Sequence, residues 1–188
     1  LRYSRERTVE NFLENLSLSS KKFWSICSLR YFNPTGAHPS GLIGEDPKND
    51  FNIFPMLNNV GTGENPNLNI YGNDWPTRDG TCIRDYIHVM DLSDAHILAL
   101  EHLFRENPKG FLTLNIGKGK GVSLLELVRC FQKVNNIKIP YIFSKRRDGD
   151  VASLVADNSK AERILGWTPS RSLEEMCTDA WNWKCLNY

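Results

Sequence analysis

The chain has 188 residues, of which 40% are hydrophobic and 24% charged, and its formal net charge is +1. That length can bury a real core, and the composition is that of a globular rather than a disordered protein. A charge so near zero gives no broad field for nucleic acid or an anionic membrane, so any anion must be met by individually placed residues.

From Arg5 to about Leu18 the residues Val9, Phe12, Leu13 and Leu16 recur at helical spacing. Phe23 to Phe32 reads as a buried strand closed by Asn33-Pro34-Thr35-Gly36, and a polar loop runs on to about Asp50. Ile53 to Val60 has a helical pattern stopped by Gly61. Leu68-Asn69-Ile70-Tyr71 reads as a short strand. After a loop at 72–81, Cys82 to Val89 carries mixed polar chemistry. Asp91 to Phe104 is a second helix, and Phe111 to Ile116 a second buried strand. Ser123 opens a helix with a capping box to Glu126. Ile139 to Phe143 is a strand, followed by helices at about Ser159 to Leu165 and Leu173 to Lys184, the last with a box from Ser172 to Glu175. The alternation predicts an α/β fold with parallel pairing. Loops as long as 33–52 and 72–81 inside a compact domain are usually functional.

Cys27, Cys82, Cys130, Cys177 and Cys185 are odd in number and scattered, with no C-x-x-C pair. Neither a zinc site nor a disulfide framework is expected from that pattern, so no metal is assigned. No apolar run reaches membrane-spanning length, and the amino end is charged rather than signal-like, so the expected location is cytoplasmic. The chain opens without methionine inside a helical pattern, which makes a piece of a longer protein the expectation.

Two charged clusters stand out. Arg84-Asp85-Tyr86-Ile87-His88-Val89 places a guanidinium suited to phosphate beside a carboxylate, a phenol and an imidazole. The same residues could equally be a capping and ion-pair cluster, with His88 satisfied by a backbone carbonyl. Lys145-Arg146-Arg147-Asp148-Gly149-Asp150 could take a diphosphate on an arginine and ribose hydroxyls on a carboxylate, or be a solvated charge run. Gly117-x-Gly119-x-Gly121 lacks the G-x-G-x-x-G spacing, so a tight turn bringing backbone near a ligand is the better reading than a dinucleotide fingerprint. Of the aromatic residues, Tyr31, Phe32 and Tyr86, at strand ends, are the candidates for a site.

Taken in order, several segments resemble the UDP-glucose 4-epimerase family of extended short-chain dehydrogenases/reductases. They are Leu29-Arg30-Tyr31-Phe32-Asn33-Pro34-Thr35-Gly36-Ala37-His38-Pro39-Ser40-Gly41, the run Asp79-Gly80-Thr81-Cys82-Ile83-Arg84-Asp85-Tyr86-Ile87-His88-Val89-Met90-Asp91, and Arg146-Arg147-Asp148-Gly149-Asp150. The resemblance runs from about Thr8 to Trp183. It implies the C-terminal part of an NAD-binding Rossmann-type fold (1–33 and 86–116) joined to a smaller mixed α/β UDP-sugar domain (34–85 and 117–188).

By the same resemblance, Tyr31 and Phe32 lie beside the nicotinamide of NAD and Asn33 touches the substrate. Asn52 and Ile53 lie near the diphosphate, and Asn69, Ile70 and Tyr71 cradle the uracil. Arg84 and Arg147 take the diphosphate with Tyr86 nearby, Asp150 takes the uridine ribose, and Leu154 bears on whether an N-acetyl group fits. The implied partners are UDP-glucose and UDP-galactose, with UDP-N-acetylhexosamines left open by Leu154, and the implied parent is a homodimer. Family chemistry uses a tyrosine base with a lysine four residues on. Here Tyr3-Ser4-Arg5-Glu6-Arg7 reads Y-x-x-x-R, and ungapped alignment from Val9-Glu10 instead puts Arg2 and Glu6 at those positions. Tyr3 is therefore the catalytic candidate of a disrupted pair, and the chain alone is expected to be inactive. A UDP-sugar binding module without catalysis, or a decarboxylase or dehydratase of the same fold, are the alternatives.

Overall fold

The computed structural model describes residues 2–19, 23–46, 52–106 and 109–188, for 2–6 the backbone alone. Helix α1 (Arg2–Ser19) leads into β1 (Ser25–Tyr31), which pairs in parallel with β5 (Gly110–Ile116), Ser25 opposite Gly110 and Tyr31 opposite Ile116. Glu10 fixes α1 to the strand, its carboxylate accepting from Arg30 Nε at 2.7 Å and Nη2 at 2.5 Å. The apolar row of α1 is divided. Leu13 and Leu16 are half-buried, while Val9 and Phe12 are 58% and 66% exposed.

One residue beyond β1 the chain forms β2 (Asn33–Thr35), where sequence pattern predicts only a loop. It is a strand because β4 (Ile83–His88) runs beside it, with Asn33 opposite Tyr86 and Thr35 opposite His88. Two further short strands lie on β4: β6 (Gly121–Ser123), antiparallel, and β8 (Ser153–Leu154), parallel. β3 (Leu68–Tyr71) pairs with β7 (Tyr141–Ser144) in a separate parallel ribbon. The remaining helices are α2 (Ile53–Gly61), α3 (Val89–Arg105), α4 (Leu124–Asn135), α5 (Ser159–Leu165) and α6 (Leu173–Asn187). Both predicted capping boxes form, at Ser123/Glu126 and at Ser172/Glu175.

Two hydrophobic cores result. One gathers α2, β3, α4 and α6 around Leu57, Leu68, Ile70, Phe131 and Met176. The other packs α3 and α5 on β1 and β5 through Leu92, Ala95, Leu114, Ile116, Ala161 and Trp167. Strand β4 serves both: Tyr86 belongs to the first core and Ile87 to the second. That follows from strand geometry, since successive side chains leave on opposite faces. Among the described residues no helix is long and apolar enough to cross a membrane.

Candidate functional site

Arg84 leaves β4 next to β8, directly in register with Leu154. Its Nη1 donates to the carbonyls of Ile83 at 2.9 Å and Val151 at 2.8 Å, while Nη2 stands 3.4 Å from Asp150 Oδ1. Asp150 closes a turn in which its amide donates to the Arg147 carbonyl at 3.3 Å. From the other end of that turn the Arg147 guanidinium stacks on the Tyr71 ring, 3.7 Å from its centroid. Tyr71, Arg147, Asp150, Arg84 and Leu154 thus form one continuous rim, built from the ends of β3, β4, β7 and β8. Arg146, beside them, is committed elsewhere. It stacks on Trp75 at 4.0 Å and its Nε donates to Asp74 Oδ1 at 2.8 Å, bracing the 72–80 turn.

The other expected residues are placed differently. β3 alternates, so Leu68 and Ile70 are fully buried while Asn69 and Tyr71 are half-exposed. Ile70 therefore offers a ligand its backbone only. Asn52 precedes α2 with its side chain donating to Glu45 Oε1 at 2.6 Å, and Ile53 packs on the first core. Tyr31 ends β1, and half-buried Phe32 follows it with its amide donating to the Ile116 carbonyl at 3.3 Å. The Tyr31 hydroxyl is 2.6 Å from His96 Nε2 on α3. His96 Nδ1 lies 2.8 Å from the Leu92 carbonyl, so Nδ1 carries the proton, Nε2 accepts, and Tyr31 donates. Asn33 starts β2 at the mouth of β1. For Tyr3 only the backbone, inside α1, is described; its side chain lies outside the described residues.

Tyr86 lies in the core rather than at the rim. The ring is 4% exposed, edge-on to Phe54 at 6.3 Å, and burial pushes its hydroxyl above the ordinary tyrosine range. His88 is not held by a backbone carbonyl. Its Nδ1 accepts from the Met90 amide at 3.1 Å, capping α3, and Nε2 faces Asp179 Oδ2 on α6 at 3.1 Å. Burial lowers its pKa, against the pull of Asp179.

The tight turn at Gly117-x-Gly119 does bring backbone to an anion, but the anion is Asp85. Its Oδ1 accepts from Lys118 N at 2.7 Å, and its Oδ2 from Gly119 N at 2.9 Å and Ala156 N at 3.0 Å. Burial pushes the Asp85 carboxyl above its ordinary value, with the three amides acting in the opposite direction. A Cβ at Gly117 would stand 2.7 Å from Asp85 Oδ2. Asp91 is likewise spent on structure, accepting from Arg171 N at 3.0 Å and Arg171 Nη1 at 2.6 Å. Among the described residues no group of three or more His, Cys, Asp or Glu could hold a metal ion.

A family model described as GDP-mannose 4,6 dehydratase matches residues 8–180, and the chain belongs to that family. Its fold is that of the extended short-chain dehydrogenases/reductases. The chain is similar to the UDP-glucose 4-epimerase of Bacillus subtilis (strain 168), at 48% identity over 180 residues, 95% of this chain and 52% of the relative. A UDP-glucose-4-epimerase from Stenotrophomonas maltophila, crystallised with NAD and formylated UDP-arabinopyranose, superposes with a TM-score of 0.91. It is 43% identical over 95% of this chain and 53% of that one. The Bifidobacterium longum UDP-glucose 4-epimerase in complex with NAD+ and UDP gives 0.89 at 41% identity, covering 95% of this chain and 52% of that one. The chain therefore spans about half the length of the curated relatives it matches.

Proposed function

We propose that this chain is the substrate-binding part of a UDP-glucose 4-epimerase, interconverting UDP-galactose and UDP-glucose with NAD as the cofactor of the whole protein. The observation that supports this most is the rim from Tyr71 through Arg147 and Asp150 to Arg84 and Leu154, which puts an aromatic face, two guanidinium groups and a carboxylate in sequence. A nucleoside diphosphate needs those groups together: a surface for the base, a hydroxyl acceptor for ribose and cations for the pyrophosphate.

In this reading Asn69 and Tyr71 flank the uracil with the Ile70 backbone between them, and Asp150 accepts from the ribose. Arg84 and Arg147 hold the diphosphate, near the amino end of α2 at Asn52 and Ile53, where unpaired helix amides favour negative charge. Asn33 faces the hexose, and Leu154, beside Arg84, limits the room at its C2 substituent. Leucine is intermediate between a residue that closes the pocket to an N-acetyl group and one that opens it, so UDP-N-acetylhexosamines stand in the proposal as an open question for the same assay. Arg84 must trade its long 3.4 Å contact with Asp150 for phosphate oxygens, freeing Asp150 for the ribose.

NAD supplies the hydride acceptor and donor for C4 of the sugar. Of this chain's residues Phe32 fits the nicotinamide side best, because Tyr31 is turned to α3. The glycine turn at 117–119 is unsuited to a cofactor phosphate, since Asp85 already takes its amides. Tyr3 remains the catalytic candidate, but with Arg7 it does not make a sound base pair, so no turnover is assigned to the chain alone; the glycine-rich phosphate loop and the catalytic Ser/Thr are assigned to the remainder of the protein. That remainder and the 1–33 and 86–116 segments would form the cofactor domain, with 34–85 and 117–188 as the substrate domain. The two cores support this division, although α5 and Trp167 would move with the first part. A homodimeric, cytoplasmic parent is included in the proposal, supported for the dimer by exposed Val9 and Phe12 on α1.

A second reading, a UDP-sugar binding module without catalysis, is favoured by the Tyr3–Arg7 departure alone. Calorimetry with UDP, together with conversion of UDP-galactose in the presence of NAD, tests both. The proposal expects UDP binding by the chain and no turnover by the chain alone, with turnover by a longer protein carrying it. Absence of UDP binding overturns the rim assignment.

A further inference from the structure

Two consecutive arginines beyond β7 stack on two aromatic residues at the end of β3. Arg147 lies on Tyr71, the last residue of that strand, and Arg146 on Trp75, four residues further along. The two stacks are joined through the backbone, because Trp75 Nε1 donates to the Tyr71 carbonyl at 3.2 Å. The indole comes that near because residue 72 is glycine: a Cβ there would stand 2.4 Å from Nε1.

Trp75 is itself firmly held. Its amide donates to the Gly80 carbonyl at 3.0 Å, closing the loop on which it sits. Asp79, just before that closure, accepts from the Thr81 amide at 2.9 Å and from Ser123 Oγ at 2.5 Å, which ties the loop to the N-cap of α4. Tyr71 has less support of its own. It is half-exposed and ends a ribbon of only two strands, opposite Ser144.

We propose that Trp75 is a positioning residue for the nucleotide site: its indole N–H fixes the Tyr71 peptide and so presents the Tyr71 ring, with Arg147 upon it, before a ligand arrives. The inference deepens the proposed reading of the rim and rests on it. A strand end that frays must be ordered when ligand binds, and that cost is subtracted from affinity. Trp75 removes the cost beforehand without meeting the ligand, since one face of its ring carries Arg146 and its N–H is spent on Tyr71. Arg146 covers the ring from an exposed position. Its loss leaves the N–H on the carbonyl, so the indole rather than the arginine is the agent.

The test is calorimetry with UDP on the unmutated chain, Trp75→Phe, Tyr71→Ala and the double variant. Phenylalanine keeps a ring for Arg146 and removes only the N–H. Trp75→Phe is expected to weaken UDP binding about fivefold, the worth of one ordinary hydrogen bond. With Tyr71→Ala in place no ring is left to present, and the same substitution should cost less than about twofold. A merely structural role would lower affinity equally in both backgrounds. Arg146→Ala should bind UDP as the unmutated chain does. Equal losses in the two backgrounds, unchanged affinity in Trp75→Phe, or as large a loss in Arg146→Ala overturns this inference and leaves the rim as the UDP site. No UDP binding by the unmutated chain instead sinks the reading of the rim, and this inference with it.

Discussion

Oδ2 of Asp85 accepts a hydrogen bond from the amide of Ala156 at 3.0 Å, across a separation of 71 residues. The bond ties the segment after Leu154 to the strand carrying Arg84, so one buried carboxylate fixes the spacing of two rim residues. Replacing Asp85 with Ala would leave one buried amide, of Ala156, and two part-buried ones, of Lys118 and Gly119, without their acceptor. A loss on the order of 3 kcal/mol in urea unfolding is expected, together with weaker UDP binding through displacement of Leu154 and Arg84. Unchanged stability would mean that water replaces the carboxylate at little cost.

Arg146 and Arg147 are neighbours with opposite prospects. Arg147→Ala should weaken UDP binding about tenfold or more, the equivalent of about 1.4 kcal/mol for one charge-assisted contact. Arg146→Ala removes a stack on Trp75 and an exposed ion pair with Asp74. It should cost only about 0.5–1 kcal/mol of stability and leave UDP affinity nearly unchanged. Calorimetry on both variants separates a ligand contact from a brace. Equal losses would refute the assignment of Arg147.

His88 gives stability a pH dependence of known sign. Burial lowers its pKa below the ordinary 6.5 in the folded chain. Between the two values the unfolded chain binds a proton that the folded chain refuses. The contribution is therefore complete above 6.5 and is lost as pH falls through the lower folded value. Protonation also removes the Nδ1 acceptor that caps α3. Melting temperature should fall from pH 7 to pH 5, and His88→Gln should flatten that part of the curve. A His88→Gln curve parallel to the unmutated one would sink the prediction.

Gly36 and Gly63 share the same backbone angle, φ of +82°, in different surroundings. A Cβ at Gly36 would stand 2.9 Å from His88 Nε2, whereas one at Gly63 meets nothing within 4 Å. Alanine at Gly63 should cost about 1 kcal/mol, the strain of a left-handed non-glycine residue. Alanine at Gly36 should cost clearly more, because His88 is enclosed and cannot withdraw. Matching thermal shifts would show that His88 moves freely.

What the sequence made legible was local. Both capping boxes could be read because donor and acceptor lie three residues apart. The main helices could be read because each repeats its apolar spacing over several turns. Strands β2, β6 and β8, of three, three and two residues, have too little pattern of their own and exist only because β4 offers them an edge.

The charged run around β4 was conspicuous, but its division of labour was not. Arg84 faces the rim, Asp85 and His88 bind the fold together, and Tyr86 fills the core. The partners that decide this stand 33 residues away at Lys118, 71 at Ala156 and 91 at Asp179. The glycine turn at 117–119 was legible as a close backbone approach. Its target, Asp85, could not be read from spacing.

Tyr86 and Ile87, consecutive on β4, are embedded in two different hydrophobic interiors. Such a strand is a party wall: tilting one chamber relative to the other would pull one of these side chains from its bed. Adjustment around a guest molecule is then left to the turns that rest on the wall, above all the one between Arg147 and Asp150.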